Sequence, residues 1–175
     1  MFCLGIAGAN AQTNFKTLNY LYSIKGNTTL GGMHNRQPNS DPGRYSRQLN
    51  GVIGQWPALY SADFQFEPAE IAARQTMINQ VITEWNNGAV VQLMWHACNP
   101  AKSRPCYWDS NGVLSSMTNT EWNQLLTNGT AINNNWKAMM DEIAVYLQQL
   151  KNAGVEVLFR PLHEMNQGMF WWGGR

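Results

Sequence analysis

Short apolar runs that alternate with helical patterns constrain the fold of this chain more than any other feature. The run AVVQLMW at 89–95 is almost continuously apolar, which is typical of a parallel strand covered on both faces. Three other segments also have the pattern of strands, and they lie at 29–33, 57–66 and 155–162. Strand and helix patterns that alternate at these lengths predict a parallel sheet built from β/α units.

The segments between these strands are predicted to be helices and loops. A first helix begins near Phe15 and is predicted to be capped by Asn14. Pro68 is predicted to open a single helix that continues to about residue 85. Further helices are predicted at 120–126 and 132–150, and loops at 35–45 and 97–117.

All the histidines of the chain follow the ends of predicted strands, and they are His34, His96 and His163. In a parallel barrel every strand ends on the same face, and active sites lie on that face. A single histidine at a strand end is more often structural. The joint pattern and the adjacent Glu164 nevertheless favour functional roles for His96 and His163, whereas both interpretations stay open for His34.

A segment near the C-terminus combines charged residues with neighbouring tryptophans. RPLHEMNQ at 160–167 follows a short apolar run and leads into FWWGG at 170–174. This segment resembles the signature of glycoside hydrolase family 26, which has the usual form R-P-x-H-E-x-x-G followed closely by W-F-W-W. Two residues differ from that form, because Gln167 replaces the usual glycine and Met169 replaces a frequent tryptophan.

The resemblance extends to two other predicted strands. GGMHN at 31–35 is similar to the end of the family's first strand. LMWH at 93–96, followed by Asn99 and Pro100, is similar to its third-strand segment. The resemblance implies a (β/α)8 TIM barrel, which needs about 250 residues. Residues 12–175 would then be the N-terminal half of the catalytic domain, with about the first four β/α units.

The family also implies the chemistry of the site. Glu164 would be the general acid/base, and His163 would orient a nucleophilic glutamate on a seventh strand, beyond Arg175. A retaining glycosidase places its two carboxyl groups ~5–5.5 Å apart. Because an acid catalyst must hold its proton near neutral pH, we expect Glu164 to be partly buried beside that second carboxylate.

Several residues are expected to bind the substrate. His96 would line the subsite of the sugar being cleaved, Arg160 would hold the carboxylates, and Trp171 and Trp172 would offer stacking surfaces. The full set implied by the resemblance is His34, Trp95, His96, Arg160, Trp171 and Trp172. Among the other acids, Asp63 and Glu67 near the exit of the second strand are the only rivals to Glu164, and they are also candidates for substrate binding.

Composition narrows the classes of partner. The net charge is +1 with no basic run, so nucleic-acid binding has no electrostatic support. No segment approaches the ~20 apolar residues of a transmembrane helix. Eight tryptophans and six tyrosines with few charges suit a neutral polysaccharide, although tryptophan also fills cores. No G-x-G-x-x-G follows a strand, and neither a cofactor nor an obligate protein partner is implied.

The N-terminus and the cysteines indicate secretion. Residues 1–11, MFCLGIAGANA, have the pattern of the second half of a signal peptide cleaved after Ala11. Cleavage would remove Cys3 and leave Cys98 and Cys106, which form either a disulfide or two free thiols. A disulfide would stabilise the loop by roughly 2–3 kcal/mol.

The sequence therefore favours a secreted endo-β-1,4-mannanase acting on β-mannan. Three alternatives remain. The first is a β-glycanase of the same family that acts on mixed-linkage β-glucan or β-1,3-xylan. The second is a metal-dependent barrel hydrolase that uses the three histidines, although the first strand lacks the H-x-H that would give two ligands. The third is a non-catalytic carbohydrate-binding protein.

Overall fold

A four-stranded parallel sheet forms the centre of the computed structural model, which describes residues 14–174. The predicted signal peptide at 1–11 lies outside the described residues. The strands follow the order of the chain, and they are β1 Gly32–Asn35, β2 Leu59–Asp63, β3 Val90–Trp95 and β4 Val157–Pro161. Each strand starts just after a helix, so the predicted β/α alternation is confirmed.

Six helices connect and flank the strands in the described part of the chain. They are α1 Lys16–Ile24, α2 Arg44–Ile53, α3 Pro68–Ala72, α4 Arg74–Asn86, α5 Asn119–Leu126 and α6 Ala131–Asn152. Across residues 14–174, no helix has the length and apolar character that crossing a membrane requires.

The two faces of the sheet differ because side chains alternate along each strand. On the helix-covered face, Tyr60, Val91 and Leu93 are fully buried and join a core that includes apolar residues of α4 and α6. On the other face, His34 lies in register with Ser61, and Ser61 with Gln92. The Oγ of Ser61 lies 3.0 Å from Nδ1 of His34 and accepts a hydrogen bond of 3.3 Å from Nε2 of Gln92. This second face is therefore polar, as the inner face of a site-bearing barrel would be.

The helices differ from the sequence predictions at two places after β1. Helix α2 begins inside the predicted loop at 35–45. Its sequence has no apolar stripe that would predict a helix, because its buried residue is Ser46, which hydrogen-bonds with Asn35. The single helix predicted from Pro68 is two helices. It breaks at Ala73, where Arg74 turns inward and donates hydrogen bonds to two backbone carbonyls beyond β2.

The first helix also departs from its prediction. Asn14 is not its cap, because the N-cap position is Phe15, which gives no side-chain capping hydrogen bond. The carboxylate of Glu156 accepts hydrogen bonds from the backbone N–H groups of Lys16 (2.8 Å) and Thr17 (2.6 Å) instead. Glu156, next to β4, therefore caps the N-terminus of α1.

Candidate active site

Polar side chains gather where the three later strands end. Asp63 is the last residue of β2, His96 follows β3, and His163 lies two residues after β4. Register pairs Asp63 with Met94 and Met94 with Arg160, so the ends of these strands are level. Because the strands are parallel, their carboxyl ends form one edge of the sheet, and this edge is the candidate site.

Asp63 and His96 form a buried pair. The carboxylate of Asp63 is fully buried and contacts Nδ1 of His96 at a short distance. Its Oδ1 also accepts hydrogen bonds from the backbone N–H groups of Gln65 (2.8 Å) and His96 (3.3 Å). Burial by itself would raise the pKa of Asp63, but the hydrogen bonds that its carboxylate accepts from the side chain of His96 and from the backbone outweigh it and lower that pKa. Asp63 therefore stays ionised and serves as the partner of His96 within this site.

His163 packs against His96. The two ring centroids are 4.3 Å apart and the rings are perpendicular. His163 is buried, and its Nδ1 has no hydrogen-bond partner among residues 14–174. Burial is the main cause that lowers the pKa of His163, and the positive charge of Arg160 lowers it further. A neutral imidazole is therefore favoured at this position.

Glu164 lies in a strained turn. Leu162 has φ 48° and Glu164 has φ 57°, a left-handed conformation that is uncommon for residues other than glycine. Such outliers cluster at functional sites, where the surrounding structure holds them in place. The side chain of Glu164 is exposed rather than partly buried as expected.

Arg160 is also exposed, and Nη1 lies 3.8 Å from Sδ of Met94. In the part of the chain that the structure describes, Arg160 forms no ion pair with a carboxylate. The expected role of this arginine in holding the catalytic carboxylates therefore stays a prediction.

Trp171 and Trp172 do not offer stacking surfaces in this structure, which corrects the expectation from the sequence. Their exposed fractions are 2% and 3%. Nε1 of Trp171 donates to the carbonyl of Ala97 and Nε1 of Trp172 to that of His163, each at 2.8 Å. Phe170 stacks on Trp172 with ring centroids 4.4 Å apart. These aromatic residues pack behind the turn and stabilise it. Each indole N–H has the hydrogen-bond acceptor that a buried tryptophan needs.

Trp95 is likewise not exposed to a substrate. It is buried and stacks on Trp136 of α6, with ring centroids 5.3 Å apart. Strand alternation explains this result, because Trp95 follows Met94 and so points to the helix-covered face. Trp136 occupies the space on that side of the sheet.

Trp108 is an exposed aromatic residue beside His96 that the sequence analysis did not single out. Its exposed fraction is 49%, and its ring lies edge-on to His96 with centroids 5.6 Å apart. Phe66 supports its other side at 6.1 Å. The sequence could have indicated this residue, because Trp108 lies two residues after Cys106 and Cys98 lies two residues after His96. A disulfide between these cysteines would hold Trp108 close to His96.

The structure contains that disulfide between Cys98 and Cys106. Both cysteines are buried, and the bridge closes the loop that leads from His96 towards Trp108. The covalent link therefore restricts how far the exposed indole can move from the histidine.

His34 lies inside β1 rather than beyond its end, so its predicted position was wrong. Strand pairing already includes Gly32, where a Cβ would lie 3.2 Å from Leu59. Glycine permits this close approach, and the strand continues through His34 to Asn35. Burial is the main cause that lowers the pKa of His34, while the charge of Asp63 acts in the opposite direction. His34 is therefore set back from the edge where His96 and His163 meet.

Within the described range 14–174, no three histidine, cysteine, aspartate or glutamate side chains are placed to hold a metal ion.

Comparison with protein families and curated proteins gives consistent matches. The model of Glycosyl hydrolase family 26 matches residues 7–175. The mannan endo-1,4-beta-mannosidase of Bacillus subtilis (strain 168) is 33% identical over 179 residues, which is 94% of this chain and 46% of that protein. The protein of the same name from Thermothelomyces thermophilus is 30% identical over 89% of this chain and 32% of its own length. The chain spans about half, or less, of the curated relatives that it matches.

Solved structures agree with this result. GH26A from a Muricauda species superimposes with a TM-score of 0.85 and 32% identity, over 95% of this chain and 53% of that one. A beta-mannanase from a protist symbiont of the termite Reticulitermes speratus, complexed with gluco-manno-oligosaccharide, gives 0.77 and 28% over 90% and 51%. The predicted fold class is confirmed, because the four-stranded parallel sheet with its helices matches about half of a TIM barrel.

Proposed function

Because this chain belongs to glycosyl hydrolase family 26, we propose that it supplies the general acid/base of an endo-acting, retaining β-glycanase that cleaves β-1,4-mannan. One observation carries the proposal. The exposed carboxyl group of Glu164 lies in a strained turn at the carboxyl edge of the sheet, directly after the buried His163. The names of the relatives support mannan as the substrate, and one similar structure holds a gluco-manno-oligosaccharide.

The reaction that we propose has two steps and conserves atoms and charge. A carboxylate nucleophile, which we place outside residues 1–175, attacks the anomeric carbon while the glycosidic C–O bond breaks. Glu164 gives its proton to the departing oxygen. In the second step Glu164 removes a proton from water, the water oxygen attacks the anomeric carbon, and the bond to the nucleophile breaks.

His163 has a place in this scheme. Its ring is buried, its pKa is lowered, and its Nδ1 has no partner among the described residues. We propose that this nitrogen hydrogen-bonds the nucleophilic carboxylate and so fixes its orientation. The peptide carbonyl of the same residue is held by the indole of Trp172, which keeps the ring in place.

The sugar itself is proposed to lie between Trp108 and His96. The exposed indole offers a flat apolar face to the C–H groups of a sugar ring, and the imidazole next to it hydrogen-bonds a hydroxyl. A neutral substrate agrees with the low charge of the whole chain.

Secretion is also proposed. The small apolar residues at 1–11 have the pattern of a signal peptide, and disulfides such as Cys98–Cys106 persist in oxidising compartments.

The test of this function is Glu164→Ala in the full-length protein. Hydrolysis of mannan should fall by about 10²–10⁴-fold, because a poor leaving group needs the proton. Activated aryl glycosides should be hydrolysed far better than mannan by the variant, since their leaving groups need little protonation. Asp141→Ala, which changes an exposed acid on α6, is the control and should leave both activities unchanged. Equal losses on both substrate types would rule out the acid/base role.

Substrate class is decided by a panel of mannan, mixed-linkage β-glucan and β-1,3-xylan. The proposal requires the highest kcat/KM on mannan. A preference for either of the other two polymers would keep the mechanism and change the substrate.

A further inference from the structure

The carboxylate of Asp63 contacts His96 at two points. Its Oδ2 contacts the imidazole Nδ1, and its Oδ1 accepts a hydrogen bond from the backbone N–H of the same residue. Oδ1 also accepts from the N–H of Gln65, whose backbone has φ 54°. The chain after β2 therefore adopts an uncommon conformation that completes the hydrogen bonds of one buried carboxylate.

A buried charge is a poor means of stabilising a fold. Well-packed apolar residues stabilise an interior position as well as an ion pair does, or better. The fully buried Asp63 therefore calls for a role beyond packing, and the group that it contacts is the histidine at the candidate site.

The hydrogen bond decides which nitrogen of His96 carries a proton. An ionised carboxylate can only accept, so Nδ1 must donate, and Nε2 of the neutral ring is left as an acceptor. The ring is also held perpendicular to His163, with Trp108 and Phe170 on other sides. Both the tautomer and the orientation of the imidazole are thus fixed.

We propose that Asp63 is a positioning residue that locks His96 in its Nδ1–H tautomer, with Nε2 presented to a hydroxyl of the bound sugar. Asp63 does not touch the substrate and acts through His96 alone. The sugar contact rests on the proposed function, whereas the tautomer does not.

Asp63→Asn provides a sharp test because asparagine keeps the shape of the aspartate side chain. It replaces one acceptor oxygen by an NH₂ donor, so the hydrogen bond to His96 must reverse its direction. Two backbone N–H groups point at Oδ1, so the amide oxygen of an asparagine would take that position. Its NH₂ group would then face Nδ1 of His96 and force that nitrogen to accept. The variant should therefore convert His96 to the Nε2–H tautomer, as replacing a triad aspartate by asparagine reverses the tautomer of its histidine.

The control is Glu70→Gln in the same region. Glu70 is also buried, and it accepts a hydrogen bond of 2.6 Å from the backbone of Asn39. The side chain of Asn39 in turn donates to the carbonyl of Asp63. This variant disturbs a buried carboxylate next to the same strand end without contacting His96.

The experiment uses the full-length protein labelled with ¹⁵N at histidine. Long-range ¹H–¹⁵N spectra at neutral pH should show Nδ1–H for His96 in the parent and in Glu70→Gln, and Nε2–H in Asp63→Asn. The kcat/KM on mannan should fall about tenfold in Asp63→Asn, the value of one hydrogen bond. The same change should have no further effect in a His96→Ala background, because Asp63 acts only through that ring.

Each outcome is decisive. An unchanged Nδ1–H signal in Asp63→Asn, or an equal change in Glu70→Gln, would overturn the proposal. Additive losses in the double variant would also overturn it, since Asp63 would then act independently of His96. A reversed tautomer together with an inactive parent protein would keep the positioning role and reject the proposed function instead.

Discussion

Glu156 should stabilise helix α1 although 139 residues separate it from Thr17. Its two carboxylate oxygens accept hydrogen bonds of 2.8 and 2.6 Å from the first two N–H groups of the helix, Lys16 and Thr17. These groups have no partner inside a helix, and the positive end of the helix dipole favours an anion there. Glu156→Ala should therefore loosen the contact between α1 and the start of β4.

The magnitude follows from these contacts. Hydrogen bonds to a charged group contribute about 1.5–3 kcal/mol each when buried. Glu156 is only partly buried, so water replaces much of this energy, and loss of a cap costs about 0.5–2 kcal/mol in general. We expect Glu156→Ala to lower the free energy of unfolding by about 1.5–2 kcal/mol. Glu156→Gln, which keeps an acceptor and loses the charge, should lower it by about 1 kcal/mol.

Urea unfolding followed by circular dichroism measures these values, with Asn14→Ala as the matched control. Asn14 lies outside the helix and does not occupy the N-cap position, so its replacement should change stability by less than about 0.5 kcal/mol. Amide exchange of Lys16 and Thr17 should accelerate in Glu156→Ala alone. A loss in Asn14→Ala as large as that in Glu156→Ala would refute this reasoning.

Acid provides a second check on Glu156. Burial would raise its pKa, but the hydrogen bonds from Thr17 and Lys16 outweigh it, so the folded-state pKa is lowered. The stabilisation is therefore present above the unfolded pKa of about 4.3 and is lost as pH falls through the lower folded value. The difference in stability between the parent and Glu156→Gln should shrink below about pH 4. A difference that stays constant down to strong acid would contradict the assigned hydrogen bonds.

Three further outcomes are expected. Trp108→Ala should raise KM on mannan and lower the free energy of unfolding by about 1 kcal/mol or less, whereas Trp171→Ala should lower it by about 3–5 kcal/mol. Thermal unfolding and steady-state kinetics measure both effects, and a larger loss of stability in Trp108→Ala than in Trp171→Ala would contradict these roles. A non-reduced digest of the secreted protein should give one linked peptide pair containing Cys98 and Cys106, and two alkylatable thiols would contradict the disulfide. Residues 12–175 expressed alone should be inactive on mannan and should self-associate, because β1 and β4 would be open edges; a soluble, monomeric and active preparation would reject the half-barrel assignment.

Local patterns determined the class of the fold and the location of the site. The apolar run at 89–95 and the helical periods around it depend on residues close in sequence, and they gave the β/α alternation that the structure contains. The segment 160–174 likewise carries its acid, its histidine and its tryptophans within a few residues. Such features need no knowledge of distant contacts, so the sequence by itself was enough to indicate the family and the candidate acid Glu164.

The tertiary structure alone decided which side chains meet. Nothing near Lys16 in sequence indicates that Glu156 would cap α1, and Asn14 satisfied the local rule for a cap. Asp63 has the appearance of an acid near a strand end until the register of β2 and β3 brings it against His96.

The exposure of the tryptophan side chains was also decided by the tertiary structure. Trp171 and Trp172 lie within eight residues of the candidate acid Glu164 in sequence, yet they are buried, while Trp108 reaches the candidate site from a loop more than fifty residues earlier. Burial and hydrogen-bond partners are sums over contacts from strands and helices far apart in the chain. A sequence pattern predicts which face a residue takes within its own element, but the packing of other elements on that face determines whether it binds substrate or fills the core.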